Sequence, residues 1–253
     1  MEKIEKQQHR FGLIGRDISY SFSKGYFTKK FEVLNLENYS YENFDFQNIN
    51  ELELVLKNTT TIKGFNVTIP YKQQVIPYLT EIDEVAEKIG AVNTIAFTKK
   101  GLKGYNTDYY GFQKSIEDSL KKHHTKALIL GTGGASKAIT YVFEKLGIEA
   151  TLVSRSPKNK QYSYGQLDKE ILKNYTVIVN CTPLGTYPNI DDKPTIPYEY
   201  ITPQHLLFDL IYNPNKTAFL KEGEAKGAII LNGSKMLELQ AEKAWEIWNT
   251  TKD

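Results

Sequence analysis

The sequence predicts an α/β protein, because short apolar runs rich in β-branched residues alternate with longer segments of helical period. This alternation is typical of parallel strands joined by crossover helices. A second observation is the glycine-rich segment 131–138, which directly follows the apolar run ALIL and precedes a helical segment. Such a turn between strand and helix is typical of a nucleotide-binding α/β unit, and it lies in the second half of a 253-residue chain.

The first half of the chain alternates predicted strands and helices. The strands are assigned to segments 11–15, 39–44, 64–69 and 93–97. The helices are assigned to segments of helical period around 24–34, 48–57 and 81–89, with a short additional helix from residue 71.

A helix over 108–122 is predicted at the junction of the two halves, since its apolar residues recur at helical spacing. In the second half we predict strands at 127–131, 150–155, 176–180, 206–212 and 228–232, and helices at 135–146 and 216–226. The last segment, 234–248, is helical, and its stripe of Met, Leu, Ala and Trp requires a surface to pack on in either half.

Composition excludes several classes of protein. With 40% hydrophobic residues, 25% charged residues and a net charge of +2, the chain has the composition of a globular protein without a nucleic-acid partner. Its apolar runs are shorter than the roughly 20 residues of a membrane helix, and its polar N-terminus lacks the apolar core of an export signal. The single cysteine, Cys181, cannot form an internal disulfide. These features favour a cytoplasmic protein with no membrane partner.

The glycine-rich segment has the residues that a dinucleotide requires at a helix N-terminus. Gly131 permits a tight turn, Gly133 and Gly134 let backbone N–H groups approach a pyrophosphate, and Ala135 is small enough for close packing of helix on strand. The strict pattern has Gly or Ala at Ser136, so the loop is a variant. Glycines also serve ordinary turns, but the flanking strand and helix favour a dinucleotide site.

The end of the following strand indicates which dinucleotide is bound. The sequence there is Ser154-Arg155-Ser156, without the carboxylate that would accept from the 2′-OH of NAD. A guanidinium binds phosphate in bidentate fashion and both serines offer hydroxyls, so this triplet favours NADP. Lys158 or Lys160 is a candidate second cation. The alternative is a solvated arginine at a strand end.

The strand that ends at Asn180 predicts a further part of the cofactor site, because open α/β sheets bind ligands at the carboxyl ends of their strands. Thr182 is predicted to line the nicotinamide end. Cys181 is interpreted as a small core residue, since no histidine lies near it in the sequence. The histidines lack metal-ligand spacing, so no metal site is predicted, and the pair His123-His124 is expected in a solvated connection.

Hydride transfer at an alcohol carbon requires a group that exchanges the hydroxyl proton, and Lys72 beside a carboxylate is the candidate. Lys72 follows a predicted strand and Pro70, which fixes the direction of the chain. Asp108 stands at the start of the junction helix, where capping the helix is at least as compatible with its position as facing a cleft. The reference pKa of lysine is about 10.4, so Lys72 requires burial or a charged neighbour to act as a base near neutral pH.

The chain resembles the shikimate dehydrogenase family in eight motifs that occur in the family's order and span nearly its whole length. None would be decisive alone, but their number and order make the resemblance specific. The motifs are Ser21-Phe-Ser23, Asn66-Val-Thr68-Ile-Pro70-Tyr-Lys72, Gly90-Ala-Val-Asn93-Thr94, Asn106-Thr107-Asp108, the loop from Gly131, Asn180-Cys-Thr182-Pro, Asp209-Leu-Ile-Tyr212-Asn-Pro214, and Asn232-Gly233 with Gln240-Ala241.

The resemblance implies an NADP-dependent enzyme that reversibly reduces 3-dehydroshikimate to shikimate in aromatic amino-acid biosynthesis. It also implies two α/β domains with a cleft between them. Residues 1–108 would form the substrate-binding and catalytic domain, which the C-terminal helix 234–253 rejoins, and residues 109–233 would form a Rossmann-like NADP-binding domain. The oligomeric state stays open between monomer and homodimer.

The resemblance further implies roles for individual residues. Lys72 would handle the proton of the reacting hydroxyl, and Asp108 would orient and polarise that hydroxyl. The implied substrate contacts are Ser21 and Ser23 for the carboxylate, and Thr68, Asn93, Tyr212 and Gln240 for the rest of the polyol. The implied cofactor contacts are the N–H groups of Gly133, Gly134 and Ala135 for the pyrophosphate, Arg155 for the 2′-phosphate, and Leu210 and Gly233 for the nicotinamide.

Two departures from the family pattern accompany the resemblance. The family usually has His before the first serine of the first motif and Pro after the second, where this chain has Tyr20 and Lys24. The hydroxyls of Ser21 and Ser23 are kept. The proline is missing, so the resemblance does not define the geometry of the loop. The usual Asn-Arg-Thr at the ribose-phosphate site is replaced by the triplet around Arg155, which keeps the cation.

Alternatives stay open for the whole chain and for single residues. The chain could be a dehydrogenase of broader shikimate and quinate specificity that uses NAD, or a ligand-binding regulator that kept the fold without catalysis. Ser21 and Ser23 could cap the following helix, Asn93 could satisfy a turn, and Gln240 could be an exposed helical residue.

Overall fold

The structure is a computed structural model that describes residues 7–19 and 21–251, and the chain forms two compact units. The first unit extends to Thr107 and takes up the chain again from Ala241, whereas the second comprises Asp108–Gln240. Within the described residues, each unit has one six-stranded sheet, so the predicted α/β class is confirmed. Tyr20, one of the departures from the family pattern, lies outside the described residues.

The sheet of the first unit is mixed. Its strands are β1 (His9–Gly15), β2 (Tyr39–Asp45), β3 (Ile62–Val67), β4 (Glu81–Ile82), β5 (Thr94–Thr98) and β6 (Gly101–Tyr105), in the order β2-β1-β3-β5-β6-β4. β5 pairs antiparallel with both β3 and β6. The expectation of parallel strands is therefore wrong for this part of the sheet, because the two residues between β5 and β6 are too few for a crossover.

The helices of the first unit begin and end close to their predicted positions, with two exceptions. They are α1 (Phe22–Val33), α2 (Glu51–Asn58) and α3 (Glu84–Ile89). The segment after Lys72 forms turns and a 3₁₀ helix (Ile76–Tyr78), not a helix from residue 71. The predicted helix 81–89 starts only at Glu84, because the side chain of Asp83 accepts from the Val85 N–H as an N-cap and the two residues before it pair with β6.

The sheet of the second unit is parallel throughout. Its strands are β7 (Lys126–Leu130), β8 (Glu149–Ser154), β9 (Tyr162–Ser163), β10 (Val177–Asn180), β11 (Leu206–Asp209) and β12 (Ile229–Leu231), in the order β12-β11-β10-β7-β8-β9. β8 and β9 lie on one side of β7, and the next strands of the chain, β10 to β12, lie on its other side. The strand order therefore reverses between β7 and β10. Ligands of open α/β sheets bind at the carboxyl ends of strands at such a reversal.

The helices of the second unit are α4 (Asp108–Ile116), α5 (Gly134–Lys145), α6 (Lys169–Asn174) and α7 (Ala218–Ala225), and the last helix of the chain is α8 (Ser234–Thr250). The predicted helix 108–122 is shorter, since a 3₁₀ turn follows Ile116. The predicted strand 206–212 ends at Asp209, because the carboxylate of Asp209 accepts from the Ile211 N–H at 3.0 Å and turns the chain out of the sheet.

The core of the second unit covers both faces of its sheet. Leu128 and Leu130 of β7 pack into one apolar cluster, and Ala127 and Ile129 pack into another. Since successive side chains of a strand point to opposite faces, this alternation explains why β7 is apolar without interruption.

The last helix contributes apolar residues to both cores. Met236 packs in the core of the second unit, whereas Ala244 and Trp248 pack in that of the first. The Nε1–H of Trp248 donates to the carbonyl of Ile95 in β5 at 3.0 Å, and its ring lies so close to Gly64 of β3 that a side chain there would overlap it. The amphipathic stripe of α8 thus has partners in both halves of the sequence.

Candidate active site

Ser21 and Ser23 lie at the start of α1. Ser21 is the N-cap of the helix, and its hydroxyl oxygen accepts from the Ser23 N–H at 3.2 Å. The structural alternative considered for Ser21 is therefore observed. A hydroxyl that accepts one hydrogen bond still donates its own proton, so capping leaves Ser21 able to bind a carboxylate. Ser23 itself is buried.

A chain of buried hydrogen bonds leads from Tyr41 to Asn93. The hydroxyl of Tyr41 donates to Oδ1 of Asn66 at 2.7 Å. Nδ2 of Asn66 donates to the hydroxyl of Thr94 at 3.2 Å, and that hydroxyl donates to Oδ1 of Asn93 at 3.1 Å. Burial raises the pKa of Tyr41, so this phenol stays neutral. The network fixes the orientation of Asn93 through side chains that are far apart in sequence.

Asn93 is held on its other side by Thr107. The Thr107 N–H donates to Oδ1 of Asn93 at 2.6 Å, and Nδ2 of Asn93 donates to the Thr107 hydroxyl at 3.0 Å. These bonds join the start of β5 to the segment after β6. Asn93 is thus part of a buried network and does more than satisfy a local turn.

The segment that carries Thr68 and Lys72 is fixed by backbone hydrogen bonds. The Thr68 N–H donates to the carbonyl of Ile14 at 2.8 Å, and the carbonyl of Lys72 accepts from the Val92 N–H at 2.7 Å. The intervening Tyr71 is fully buried and its hydroxyl donates to the carbonyl of Phe46 at 2.7 Å. Half-buried Lys72 therefore leaves a rigid turn whose backbone is bonded to the residue before Asn93.

Asp108, Tyr212 and Gln240 lie in the second unit. Asp108 is the buried first residue of α4, and Gln240 is a buried residue of α8, so the exposed position considered for Gln240 is wrong. The two helices touch at Gly111, where a Cβ would lie 2.5 Å from the carbonyl oxygen of Met236. Tyr212 is half-buried in the loop after β11. The predicted substrate residues thus divide between the units.

The glycine-rich loop fits the pyrophosphate of a dinucleotide. Gly131 has a φ of 103°, which few residues other than glycine adopt, and Gly133 is the extended N-cap of α5. A Cβ at Gly133 would meet no described atom within 4 Å, so the space in front of the first N–H groups of α5 is open. Ser136 is accommodated because its hydroxyl donates to the carbonyl of Gly133 at 2.7 Å.

The triplet Ser154-Arg155-Ser156 follows the end of β8. The hydroxyl of Ser154 accepts from the Ser156 N–H at 3.1 Å, which closes a turn. Arg155 is exposed, and its charge lowers the pKa of Tyr164, although burial of that tyrosine raises it more. Lys158 and Lys160 are exposed as well. An exposed cation at the end of a strand next to β7 matches the position that a 2′-phosphate requires.

The residues predicted for the nicotinamide end are brought together after β7, β10 and β11. A Cβ at Gly131 would lie 3.2 Å from Cγ2 of Thr182. The Leu210 N–H donates to the carbonyl of Asn180 at 3.1 Å, and Gly233 lies so close to Leu210 that a side chain there would overlap the Leu210 carbonyl oxygen. These contacts explain why Gly131 and Gly233 are glycines.

No individual role is assigned from the sequence to three residues of these networks: Tyr41, Thr107 and Asp209. Asp209 accepts three hydrogen bonds at the end of β11. A carboxylate inside the apolar segment LLFDLIY is a usable signal for Asp209, since charged residues are rarely buried without a reason. The sequence carries no comparable signal for Tyr41, whose neighbours are also aromatic and polar.

Cys181 and the histidines behave as structural residues. Cys181 packs against an apolar cluster, and burial raises the pKa of its thiol, so it is not a nucleophile. The expectation of a solvated histidine pair is wrong for His124, which is buried. Its Nδ1 accepts from the Lys121 N–H at 3.0 Å and its Nε2 bonds the carbonyl of Gln204 at 3.0 Å.

Residues 7–19 and 21–251 contain neither a metal-binding cluster nor a membrane-spanning helix. No three His, Cys, Asp or Glu side chains there are grouped so that they could hold a metal ion. No helix in the same part of the chain has the length and apolar character needed to cross a membrane.

Comparison with known proteins relates most of the chain to one family. The substrate binding domain of shikimate dehydrogenase matches residues 13–95. A shikimate dehydrogenase (NADP(+)) of Methanococcus vannielii is 37% identical over 270 residues, covering 98% of this chain and 94% of that protein.

Solved structures agree with this relationship. A crystal structure of a shikimate dehydrogenase in complex with NADP+ has a TM-score of 0.86 and 33% identity, covering 96% of this chain and 90% of that one. A shikimate 5-dehydrogenase of Thermus thermophilus in complex with NADP(H) and shikimate has a TM-score of 0.84 and 29% identity, covering 96% and 94% of the two chains.

Proposed function

The chain belongs to the shikimate dehydrogenase family, and we propose that it catalyses the reversible, NADP-dependent reduction of 3-dehydroshikimate to shikimate in aromatic amino-acid biosynthesis. The observation that carries this function is the 37% identity to an NADP-dependent shikimate dehydrogenase over 98% of the chain. The glycine-rich loop at the N-terminus of α5 and the cation Arg155 at the end of β8 support the same cofactor.

We assign proton transfer to Lys72. When bound, NADPH supplies a hydride to the carbonyl carbon, so the protein has to deliver a proton to the carbonyl oxygen. Lys72 is half-buried and leaves a turn anchored by buried Tyr71, so the start of its side chain has a defined position. In the oxidising direction the same nitrogen would take the hydroxyl proton.

We assign Asp108 the role of orienting and polarising the reacting hydroxyl. Its side chain is buried at the start of α4, which limits the positions that its carboxyl group can adopt. A carboxylate that accepts a hydrogen bond from the reacting hydroxyl fixes the direction of that group. It also polarises the O–H bond of the substrate, which eases transfer of the proton.

The remaining substrate contacts are assigned by the chemistry of the substrate. Two serine hydroxyls at the start of α1 suit a carboxylate, and the burial of Ser23 restricts its side chain. Amide and hydroxyl groups suit the polyol, since they both donate and accept. The proposed contacts are Ser21 and Ser23 for the carboxylate, and Thr68, Asn93, Tyr212 and Gln240 for the hydroxyl groups.

The cofactor contacts follow the three loops described above. The N-terminus of α5 would bind the pyrophosphate, the turn after β8 the 2′-phosphate, and the loops after β10 and β11 the nicotinamide. The proposed residues are Gly131, Gly133, Gly134 and Ala135; Ser154, Arg155 and Ser156; and Thr182, Leu210 and Gly233.

The assignment of activities to domains is part of the proposal. Residues 1–108 with the C-terminal helix 234–253 would bind the substrate, and residues 109–233 would bind NADP. The presence of Asn93, Thr68 and Lys72 in one anchored cluster supports the first assignment. A cytoplasmic location fits the single cysteine, and the protein acts as a monomer or homodimer on a small-molecule substrate.

A matrix of steady-state rates tests the function. Purified protein is assayed with shikimate or quinate and with NADP+ or NAD+, and NADPH or NADH formation is followed by absorbance. We expect the highest kcat/KM for shikimate with NADP+. A higher value for quinate with NAD+ would indicate the broader dehydrogenase, and shikimate binding without any cofactor reduction would indicate the non-catalytic regulator.

A further inference from the structure

Asp209 is a buried carboxylate at the carboxyl end of β11. Its Oδ1 accepts from the Ile211 N–H at 3.0 Å and from Nδ2 of Asn180 at 3.1 Å, and its Oδ2 accepts from the hydroxyl of Thr217 at 2.6 Å. Asn180 ends β10 and Thr217 caps α7. Asp209 therefore joins two neighbouring strand ends and the helix that follows them.

The negative charge of Asp209 has only neutral donors around it. In the part of the chain that the structure describes, no lysine, arginine or histidine forms an ion pair with this fully buried side chain. Burial raises the pKa of Asp209 to about 6, although its hydrogen bonds from Thr217, Ile211 and Asn180 oppose that rise. At neutral pH the group is thus a buried anion without a positive counterpart, which is unfavourable unless a bound molecule supplies one.

Asp209 lies directly behind the loops assigned to the nicotinamide. Asn180 binds Asp209 through Nδ2, and through Oδ1 it accepts from the N–H and hydroxyl of Thr182 at 3.0 and 2.7 Å. Leu210 is the next residue after Asp209, and Gly233 packs against its carbonyl. Asp209 is therefore linked to all three proposed nicotinamide contacts. Asn180 connects it to Thr182, and Leu210, the next residue in the chain, connects it to Gly233.

We propose that the negative charge of Asp209 favours the oxidised over the reduced nicotinamide at this site. The nicotinamide ring carries a positive charge when oxidised and none when reduced, so a buried anion behind it attracts only the oxidised form. The inference rests on the proposed function, which places the nicotinamide against Leu210 and Gly233. Asp209 acts by its charge and does not exchange protons with the substrate.

Asp209 is the group that titrates here near neutral pH. The other titratable groups that face it are the thiol of Cys181 and the phenol of Tyr198, and burial raises the pKa of both, so they remain neutral between pH 5 and 8. Because the pKa of Asp209 is about 6, its charge is present at pH 8 and is lost as the pH falls through 6. The preference for the oxidised cofactor should therefore be strong at pH 8 and should weaken as the pH falls through 6.

The test compares the dissociation constants of NADP+ and NADPH by titration calorimetry at pH 5 and pH 8. For the wild-type protein we expect the ratio of the NADP+ constant to the NADPH constant to fall as the pH rises. Asp209→Asn keeps the shape and removes the charge, so at pH 8 this ratio should rise on the order of tenfold and become independent of pH. Asp191→Asn, an exposed carboxylate in the same unit, is the matched control and should behave as the wild type.

A second variant keeps the charge and weakens its hydrogen bonds. Thr217→Val removes the donor to Oδ2, so the ratio at pH 8 should be retained, whereas the pH at which it changes should move upward. Thr217→Ser restores the hydroxyl and should restore the wild-type midpoint. These variants decide the matter if Asp209→Asn fails to fold.

Two results would overturn the inference. Equal weakening of NADP+ and NADPH by Asp209→Asn would show a purely structural role, and an unchanged midpoint in Thr217→Val would show that another group titrates. Failure of the wild-type protein to bind either form would instead overturn the proposed function, and this inference with it. Calorimetry does not depend on turnover, so loss of catalysis alone does not produce any of these outcomes.

Discussion

At the scale of single residues, the proposed chemistry depends most on Lys72. Replacing Lys72 by alanine removes the group that delivers the proton, so kcat should fall by about 10²- to 10⁴-fold while KM changes little. Steady-state kinetics with shikimate and NADP+ measure both constants. Lys99→Ala, an exposed lysine of the same unit, is the control and should keep the wild-type values. A loss confined to KM would contradict the proton-transfer role.

Arg155 is the residue that should decide between NADP and NAD. Arg155→Gln removes the charge that we assign to the 2′-phosphate, so KM for NADP+ should rise by about 10- to 100-fold. KM for NAD+ should change little, because NAD+ has no phosphate at this position. An equal change for both cofactors would show that Arg155 supports the loop instead of binding the phosphate. Lys158→Gln tests in the same assay whether a second cation contributes.

Residue identity predicted some features of the site and not others. Gly131, Gly133 and Arg155 have a chemistry that is visible in the sequence, because a φ of 103° or a fixed cation limits the choice of residue. The network through Tyr41 was not predictable, since hydrogen bonds between β2, β3 and β5 depend on strand order and register. A one-residue change of register would turn Tyr41 to the other face.

At the scale of elements, the packing of α8 on the first sheet is tightest at Gly64. Gly64→Ala would place a methyl group in the ring of Trp248 and disturb the hydrogen bond to Ile95, so it should lower the free energy of unfolding by about 1–3 kcal/mol. Urea unfolding measures this change. Gly165→Ala is the control, because a Cβ there would meet no described atom within 4 Å. Equal free energies of unfolding for the two variants would show that α8 can move to accommodate the methyl group without loss of stability.

Two buried histidines at the amino ends of β7 and β11 make stability depend on pH. Burial lowers the pKa of His124 and His205, and the ring of His205 bonds the Thr202 N–H and the carbonyl of Leu172. At mildly acid pH the unfolded chain therefore binds protons that the folded chain does not. The two neutral histidines therefore contribute fully to the free energy of unfolding above the ordinary histidine pKa of about 6.5. This contribution is lost as the pH falls below that value.

Urea unfolding at pH 8 and pH 5.5 measures this loss. Asp209 has the opposite effect on stability, because its raised pKa favours the folded state below about pH 6. The histidine contribution is therefore measured by comparing variants with the wild-type protein. His205→Gln should reduce the loss of stability on acidification, whereas Lys99→Ala, at an exposed position of the first unit, should leave it unchanged. An identical pH dependence in all three proteins would contradict the assignment.

The apolar strands were more predictable than the short elements. In the second unit, β7, β10 and β11 are nearly continuous apolar runs covered on both faces of the sheet, whereas β9 and α6 are short and were not predicted. The first unit contains β4 and β6, which are short and carry few apolar residues, so local pattern does not distinguish them from loops. Their pairing with each other depends on contacts that are distant in sequence.

At the scale of the whole molecule, the sequence carries two different kinds of information. The order of apolar and helical segments predicts the α/β class, which the two sheets confirm. Function follows from eight motifs spread over the chain, because the substrate and cofactor residues come from distant segments that only the fold assembles. Tyr41 and Asn93, for example, are joined through two intervening side chains.

The central claim is that the chain moves a hydride between shikimate and NADP+. The most direct measurement uses shikimate deuterated at the carbon that bears the reacting hydroxyl, incubated with the protein and NADP+, with mass spectrometry of the recovered cofactor. We predict that the deuterium is found in the nicotinamide of the reduced cofactor. Reduced cofactor without deuterium, or shikimate left unchanged beside NADP+, would contradict the claim.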